Sequence, residues 1–233
     1  MQRYSQQMLL PEIGELGQEL LGKAHVLVVG AGGLGTVVAT YLAAIGIGKI
    51  GIVDYDTVEE TNLHRQFLYT PDEIGKKKAL VLTKRLVAQN NSIFIDSIVE
   101  RITEENFSSI IADYSIVCDC TDDVLTRLAL DKQCGLNNIP LVHGAISDWQ
   151  GYITLFHYKN RFRYNNLFEM DDLLRTQTCS TIGISSPVCG IIGSIMSNET
   201  LKIILNIDSN LDGSLLYINS LKNIFKIIKL KNN

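Results

Sequence analysis

Residues 25–54 read HVLVVGAGGLGTVVATYLAAIGIGKIGIVD, and the architecture rests on this stretch. His25 to Val29 is a short apolar run, the pattern of a strand buried on both faces. Gly30-Ala31-Gly32-Gly33-Leu34-Gly35 comes next and satisfies G-x-G-x-x-G. Residues 34–45 are rich in alanine and leucine and predict a helix, and residues 49–54 predict a second strand ending on an acid. Strand, glycine turn, helix and strand make a βαβ unit, for which a parallel sheet with right-handed crossovers is expected. Gly30 permits the tight turn, Gly32 lets the backbone approach a phosphate, and Gly35 lets helix and strand pack closely. The helix start then offers free amides and a positive dipole end to an anion. Asp54, 24 residues after Gly30, stands where a ribose hydroxyl can be held. By itself this fingerprint favours a nicotinamide- or flavin-dependent oxidoreductase. Other nucleotide binders and a purely structural turn also fit it.

On either side of this unit, residues 12–22 read as a short amphipathic helix and 76–90 as another, with Ala79, Leu82, Leu86 and Asn90 on one face. Strands are expected at 93–98, 114–119 and 140–146, with a helix at 123–137 between the last two. Residues 150–158 alternate as an antiparallel strand does, 160–180 are polar and irregular, and 188–205 predict a long apolar helix starting just after Pro187. Two short strands near 214–219 and 224–230 complete the pattern. The expected fold class is therefore α/β: a Rossmann-like parallel sheet with helices on both faces, continued by antiparallel strands in the C-terminal part. One domain is expected over 1–233.

Composition bounds the function. Hydrophobic residues make up 46% and charged residues 20%, an ordinary globular balance. The net charge of −4 argues against a general nucleic-acid or acidic-membrane binder. Lys222, Lys226, Lys229 and Lys231 read as guards on a solvated edge strand. No secretory signal or membrane-length apolar run is visible, and the cysteine number, five, is odd. A reducing cytoplasm is expected. Cys118, Cys120, Cys134 and Cys189 are expected in the core, the first two on opposite faces of one strand. His143 and His157 are expected to be packed strand residues.

The chemistry turns on the residues after the second strand. Asn62, Arg65 and Gln66 lie just beyond the carboxyl edge of the sheet, where α/β ligands bind. Arg65 is a planar fork suited to phosphate oxygens. Lys76, Lys77 and Lys78 crowd a helix start, an unfavourable place for cations unless an anion is nearby. Asp119-Cys120-Thr121-Asp122-Asp123 succeeds a buried strand at the same edge. A triphosphate enzyme uses carboxylates there to hold magnesium, whereas a redox enzyme has little need of them. One of these acids is expected to cap the next helix and one to serve the metal.

These residues, in this order, resemble the ThiF/MoeB/HesA family, bacterial relatives of ubiquitin-activating enzymes. The resemblance runs essentially end to end: Arg3-Tyr4, the glycine turn, Asp54 and Asp56, Asn62 to Gln66, Gly75 to Lys78, the DCTD run at 119–122, Thr178-Cys179, Gly183, Pro187 and residues 190–194. It implies binding of ATP and Mg2+, and adenylation of the C-terminal glycine carboxylate of a small ubiquitin-like sulfur carrier ending in Gly-Gly. The thiamine branch is expected first and the molybdopterin branch second. It further implies that Gly33 and its neighbours contact the phosphates and that Asp54 holds the ribose. Asn62, Arg65 and Lys78 would neutralise the triphosphate, and Asp122 would hold magnesium. Asp56, Gln66 and Asp123 complete the expected ATP-binding set. Cys179 matches a cysteine that some members link covalently to the carrier or use to carry sulfur. A homodimer is implied as well.

Three departures stand out. Many members bind a structural zinc through two C-x-x-C pairs; none occurs here, so no zinc is expected. Gln6 stands where the family pattern has an arginine that reaches the partner subunit's ATP. Asp123 replaces the asparagine of the usual DCTDN and adds a charge near the metal. They leave open a less active or pathway-specialised member, or a binding module of the same fold. An NAD-dependent oxidoreductase is the further alternative.

Overall fold

A computed structural model of the chain describes residues 2–167 and 183–230. Ten residues of amphipathic pattern form α1 (Gly14–Lys23), leading into β1 (His25–Val29). The glycine turn opens α2 (Gly33–Ile45), and β2 (Lys49–Val53) comes after it. Next are α3 (Lys78–Gln89), β3 (Phe94–Ile98), α4 (Phe107–Ile111), β4 (Ile116–Asp119) and α5 (Val124–Asn137). The chain continues through β5 (Leu141–Ser147), β6 (Gln150–Phe156), α6 (Ser186–Ile204), β7 (Ser214–Asn219) and β8 (Ile224–Lys229).

All eight strands join one sheet in the order β3-β2-β1-β4-β5-β6-β7-β8. Pairing is parallel from β3 to β5 and antiparallel from β5 to β8. Strand alternation sorts the side chains between two cores. Val26 and Val28 of β1 pack with α1, α2, α3 and α6 on one face, and Leu27 and Val29 pack with α4 and α5 on the other. The direction of winding reverses between β1 and β4, the place where open α/β sheets leave a crevice. Val29 pairs with both Val53 and Asp119, and Asp119 pairs with His143. This register lines up Gly30, Asp54 and Cys120 just beyond the same edge.

Several expectations are corrected. Pro187 lies inside the first turn of α6 rather than before it, where a missing N–H costs nothing. Cys118 and Cys120 face the same core, as residues two apart along an extended chain must. His157 is not in β6, which ends at Phe156; it has a left-handed backbone (φ +53°), and its Nε2 shares a hydrogen bond with Asp131 at 2.8 Å. Helix α4 and the short 3-10 turns have no periodic signal to reveal them. Edge strand β8 does carry Lys226 and Lys229, but Ile224, Phe225, Ile227 and Ile228 are exposed along with them. Among the described residues no helix is long and apolar enough to cross a membrane. Cys179 and Thr178 lie outside the described residues.

Candidate active site

The crevice is a cleft of about 270 Å³, lined by the glycine turn, the end of β2, the 59–66 segment, Lys78 and residues 120–127. It brings together every nucleotide-site residue the sequence nominates except Cys179, with Gly35 lying just beneath the lining. Gly30 has φ +93°, and a Cβ there would come within 2.8 Å of the Cys120 carbonyl oxygen. Gly35 is tighter still: its Cβ would lie 1.7 Å from the Gly30 carbonyl oxygen. The turn therefore folds flat onto itself, and Gly33 and Leu34, in the first turn of α2 where amides lack intrahelical partners, line the cleft.

Two groups brace that turn. Asp54 accepts the Ala31 amide at 2.7 Å and the Asp56 amide at 2.8 Å. Burial pushes its carboxyl above the usual range, against the pull of those two amides. The sequence gives no sign that Asp54 ties β2 to the turn, and a carboxylate has lone pairs left for a ribose hydroxyl. The buried Tyr69 hydroxyl donates to the Ala31 carbonyl at 2.7 Å. No local pattern marks Tyr69.

The cations stand opposite. Lys78 is buried at the first position of α3, and its Nζ lies 3.3 Å from the Asp56 carboxylate. Asp56 is thus the resident anion that makes a lysine tolerable at a helix start. Lys77 instead donates to the Tyr55 carbonyl at 2.7 Å. Arg65 donates to the Thr61 carbonyl at 3.1 Å and lines the cleft. Beside it Asn62 and Gln66 are buried, and both side-chain oxygens, Oδ1 and Oε1, lack a hydrogen-bond partner among the described residues. A buried acceptor left unmade costs about 1–3 kcal/mol, so two of them in one cleft fit a site that receives a donor-bearing ligand.

The acids divide. Asp119 is fully buried and bonded to His143. Asp123 caps α5, accepting the Thr126 amide at 2.9 Å, and pairs with Arg101 at 3.0 Å. Burial would raise its carboxyl, but Thr126 and Arg101 outweigh it and hold it low. Its extra charge is thus already neutralised before any metal arrives. Asp122 is exposed in the cleft and has no hydrogen-bond or ion-pair partner among the described residues. One acid caps, as expected, and a different one is free.

Arg101 escapes the sequence reading. Its guanidinium sits 5.5 Å from the Tyr55 ring centroid, so Tyr55, Arg101 and Asp123 make a bracket across the cleft mouth. Arg127, which also escapes it, donates through Nε and Nη2 to the Thr121 carbonyl. A cation in the opening turns of a helix is the signal that could flag it. Arg3 donates to the Gln89 carbonyl at 3.1 Å, at the end of α3 remote from Lys78. Gln6 is exposed. The four described cysteines are all buried, and burial raises each thiol, Cys118 to about 12, so none is a ready nucleophile.

The sequence pattern that defines the ThiF family matches residues 4–233. The chain belongs to the ThiF family. It is 38% identical over 237 residues to a Thermus thermophilus protein named sulfur carrier protein adenylyltransferase, covering 99% of this chain and 88% of that one. It is also 38% identical over 232 residues to the Dictyostelium discoideum adenylyltransferase and sulfurtransferase MOCS3, covering 99% of this chain and 55% of that one. The chain thus spans about half the length of its MOCS3-type relatives. Escherichia coli MccB, solved with ATP, has the same fold: TM-score 0.84 at 22% identity, over 99% of this chain and 72% of that one.

Proposed function

We propose that this ThiF-family chain is an ATP-dependent adenylyltransferase acting on a ubiquitin-like sulfur carrier ending in Gly-Gly, in the thiamine branch first and the molybdopterin branch second. The observation that carries the reading is the composition of one cleft: a flattened glycine turn, two cations at Lys78 and Arg65, and a free carboxylate at Asp122. The glycine turn alone would also serve a dinucleotide. A redox dinucleotide could use the cations for its pyrophosphate, but it needs no magnesium and leaves Asp122 without a role. The names borne by the Thermus and Dictyostelium relatives support the same reading.

In this reading the turn amides, Arg65, Lys78 and the side-chain NH2 groups of Asn62 and Gln66 hold the triphosphate, with Lys78 moving from Asp56 to phosphate oxygen. The unpaired Asn62 and Gln66 oxygens accept from hydroxyl or amino donors of the nucleotide. Asp54 orients the ribose, and Asp122 holds magnesium. The metal, when bound, neutralises phosphate charge and so lets an anionic carboxylate approach. The carrier's carboxylate oxygen bonds to the α-phosphorus, pyrophosphate leaves, and an acyl-adenylate results. Both reactants are anions, so fixed cations and positioning supply the acceleration. One ATP-binding unit spanning the chain works as a homodimer with a protein substrate. The exposed apolar row on edge strand β8 offers area for such a partner. Cys179 acts after adenylation, as nucleophile or sulfur carrier.

Intact-mass spectrometry of a Gly-Gly carrier incubated with this protein, ATP and magnesium tests the reading. A carrier–AMP adduct with release of pyrophosphate is expected. Unmodified carriers from both branches, with ATP bound to the protein, would instead favour a binding module.

A further inference from the structure

Asp122 lines the cleft with no side-chain partner of its own among the described residues, so what can be fixed in advance is where its Cα–Cβ bond points, and the backbone that precedes it sets that. That backbone is held unusually firmly. Thr121 donates its amide to Asp119 Oδ1 at 3.0 Å and its hydroxyl to the same oxygen at 2.7 Å. The Thr121 carbonyl, one peptide bond from Asp122, accepts both Nε (3.1 Å) and Nη2 of Arg127. Asp119 is held in turn. Its Oδ2 lies 2.7 Å from His143 Nδ1, and His143 Nε2 lies 3.3 Å from the Tyr152 hydroxyl. Tyr164 hydrogen-bonds Arg127 and stands edge-on to the His143 ring at 5.2 Å. The cluster draws on β4, β5, β6, α5 and the 3-10 turn Tyr164–Asn166, and Asp119 and His143 are both fully buried.

Stability alone gives little reason for such a cluster, because well-packed apolar residues in place of a buried ionic group are often neutral or stabilising. Its geometry converges on one residue, Thr121. We propose that Arg127 and the Asp119–His143 pair are positioning residues that fix Thr121 at three atoms, so that Asp122 projects toward the metal from one fixed backbone position. This rests on the reading of Asp122 as the magnesium holder. Outer groups that orient a ligand commonly change metal affinity about 10–100-fold when removed.

The test is Mn2+ binding, followed by electron paramagnetic resonance, to the full chain with ATP present. Arg127→Met and His143→Leu are expected to weaken Mn2+ binding about 10-fold, and His143→Leu, at a residue outside the cleft lining, to change metal-free ATP binding less than about twofold. His143→Asn, which keeps a donor near the Nδ1 position, is expected to restore most of the affinity, a rescue that a purely structural role would not predict. Unchanged Mn2+ binding in Arg127→Met and His143→Leu, with Asp122→Ala impaired, overturns the positioning role alone. Unchanged binding in Asp122→Ala shows that the metal assignment itself is wrong, and the proposal falls with it. Should the substituted chains not fold, amide exchange in the unaltered protein decides. Slow exchange at Thr121 is expected, and exchange at the rate of a free loop overturns the clamp.

Discussion

Gly35 lies under the nucleotide turn with no room for a single methyl group, since its Cβ would fall 1.7 Å from a backbone oxygen. That oxygen cannot swing away as a flexible side chain can. Gly35→Ala is therefore expected to destabilise the fold by about 3 kcal/mol or more, the upper range for overpacking, as measured by urea denaturation. A loss under about 1 kcal/mol would mean that the turn is not folded as described. Lys78 makes a sharper functional case. It is buried beside Asp56, and under the proposed function it would give up that partner to receive phosphate. Lys78→Ala is expected to weaken ATP binding about 10–100-fold, the worth of one hydrogen bond to a charged group, while Asp56→Asn leaves it equal or tighter. Calorimetric titration of both variants checks the pair, and a larger loss for Asp56→Asn would reverse the assignment. Cys179→Ser is expected to retain adenylation fully and to fail only at later transfer of the carrier.

Among the elements, α5 shows how one residue links local folding to the site. Asp123 caps it through Thr126 and also holds Arg101 across the cleft mouth. Asp123→Ala removes cap and pair together and is expected to cost about 1–2 kcal/mol. Asp123→Asn keeps a good cap and loses only a half-exposed ion pair, worth under about 1 kcal/mol. Urea melts of both variants test this order, and equal losses would contradict it. The elements most legible in the sequence are those with strong periodicity: the βαβ unit through Asp54 and helices α2, α3, α5 and α6, each within a residue or two. Residues 107–111 escape because five residues give no period. Strand β6 reads too long in the sequence because His157 looks like a strand residue until its left-handed backbone is known. In the site, the glycine turn and Asp122 are legible because they come just after strands, Arg65 because it lies in the polar segment beyond β2, and Lys78 because lysines crowd a helix start. Tyr69, Arg101 and Arg127 are not, because their roles depend on carbonyls and carboxylates brought near only by the sheet.

Across the whole molecule, two cores clamp one sheet, and the crevice opens where its winding reverses. The buried Asp119–His143 pair spans 24 residues of sequence and joins two parallel strands. Burial lowers the His143 imidazole from its ordinary 6.5, outweighing the Asp119 bond, and Asp119, Arg127, Asp131, Tyr152 and Tyr164 are the groups facing it. A ring neutral in the folded protein but protonated when unfolded gives stability that is present above pH 6.5 and lost as pH falls below it. Its NMR titration is expected to be centred below the ordinary 6.5, and a transition centred on the ordinary value would contradict the burial argument. The exposed apolar row of β8 predicts that Ile227→Asp weakens carrier-dependent turnover and leaves ATP binding intact, a contrast that carrier titrations resolve. Whether this cleft joins ATP to a carrier's carboxylate is decided by ATP–pyrophosphate exchange with purified protein, magnesium and a Gly-Gly carrier. Exchange that requires the carrier and vanishes in Asp122→Ala is the predicted result; ATP binding without exchange for carriers of both branches would contradict it.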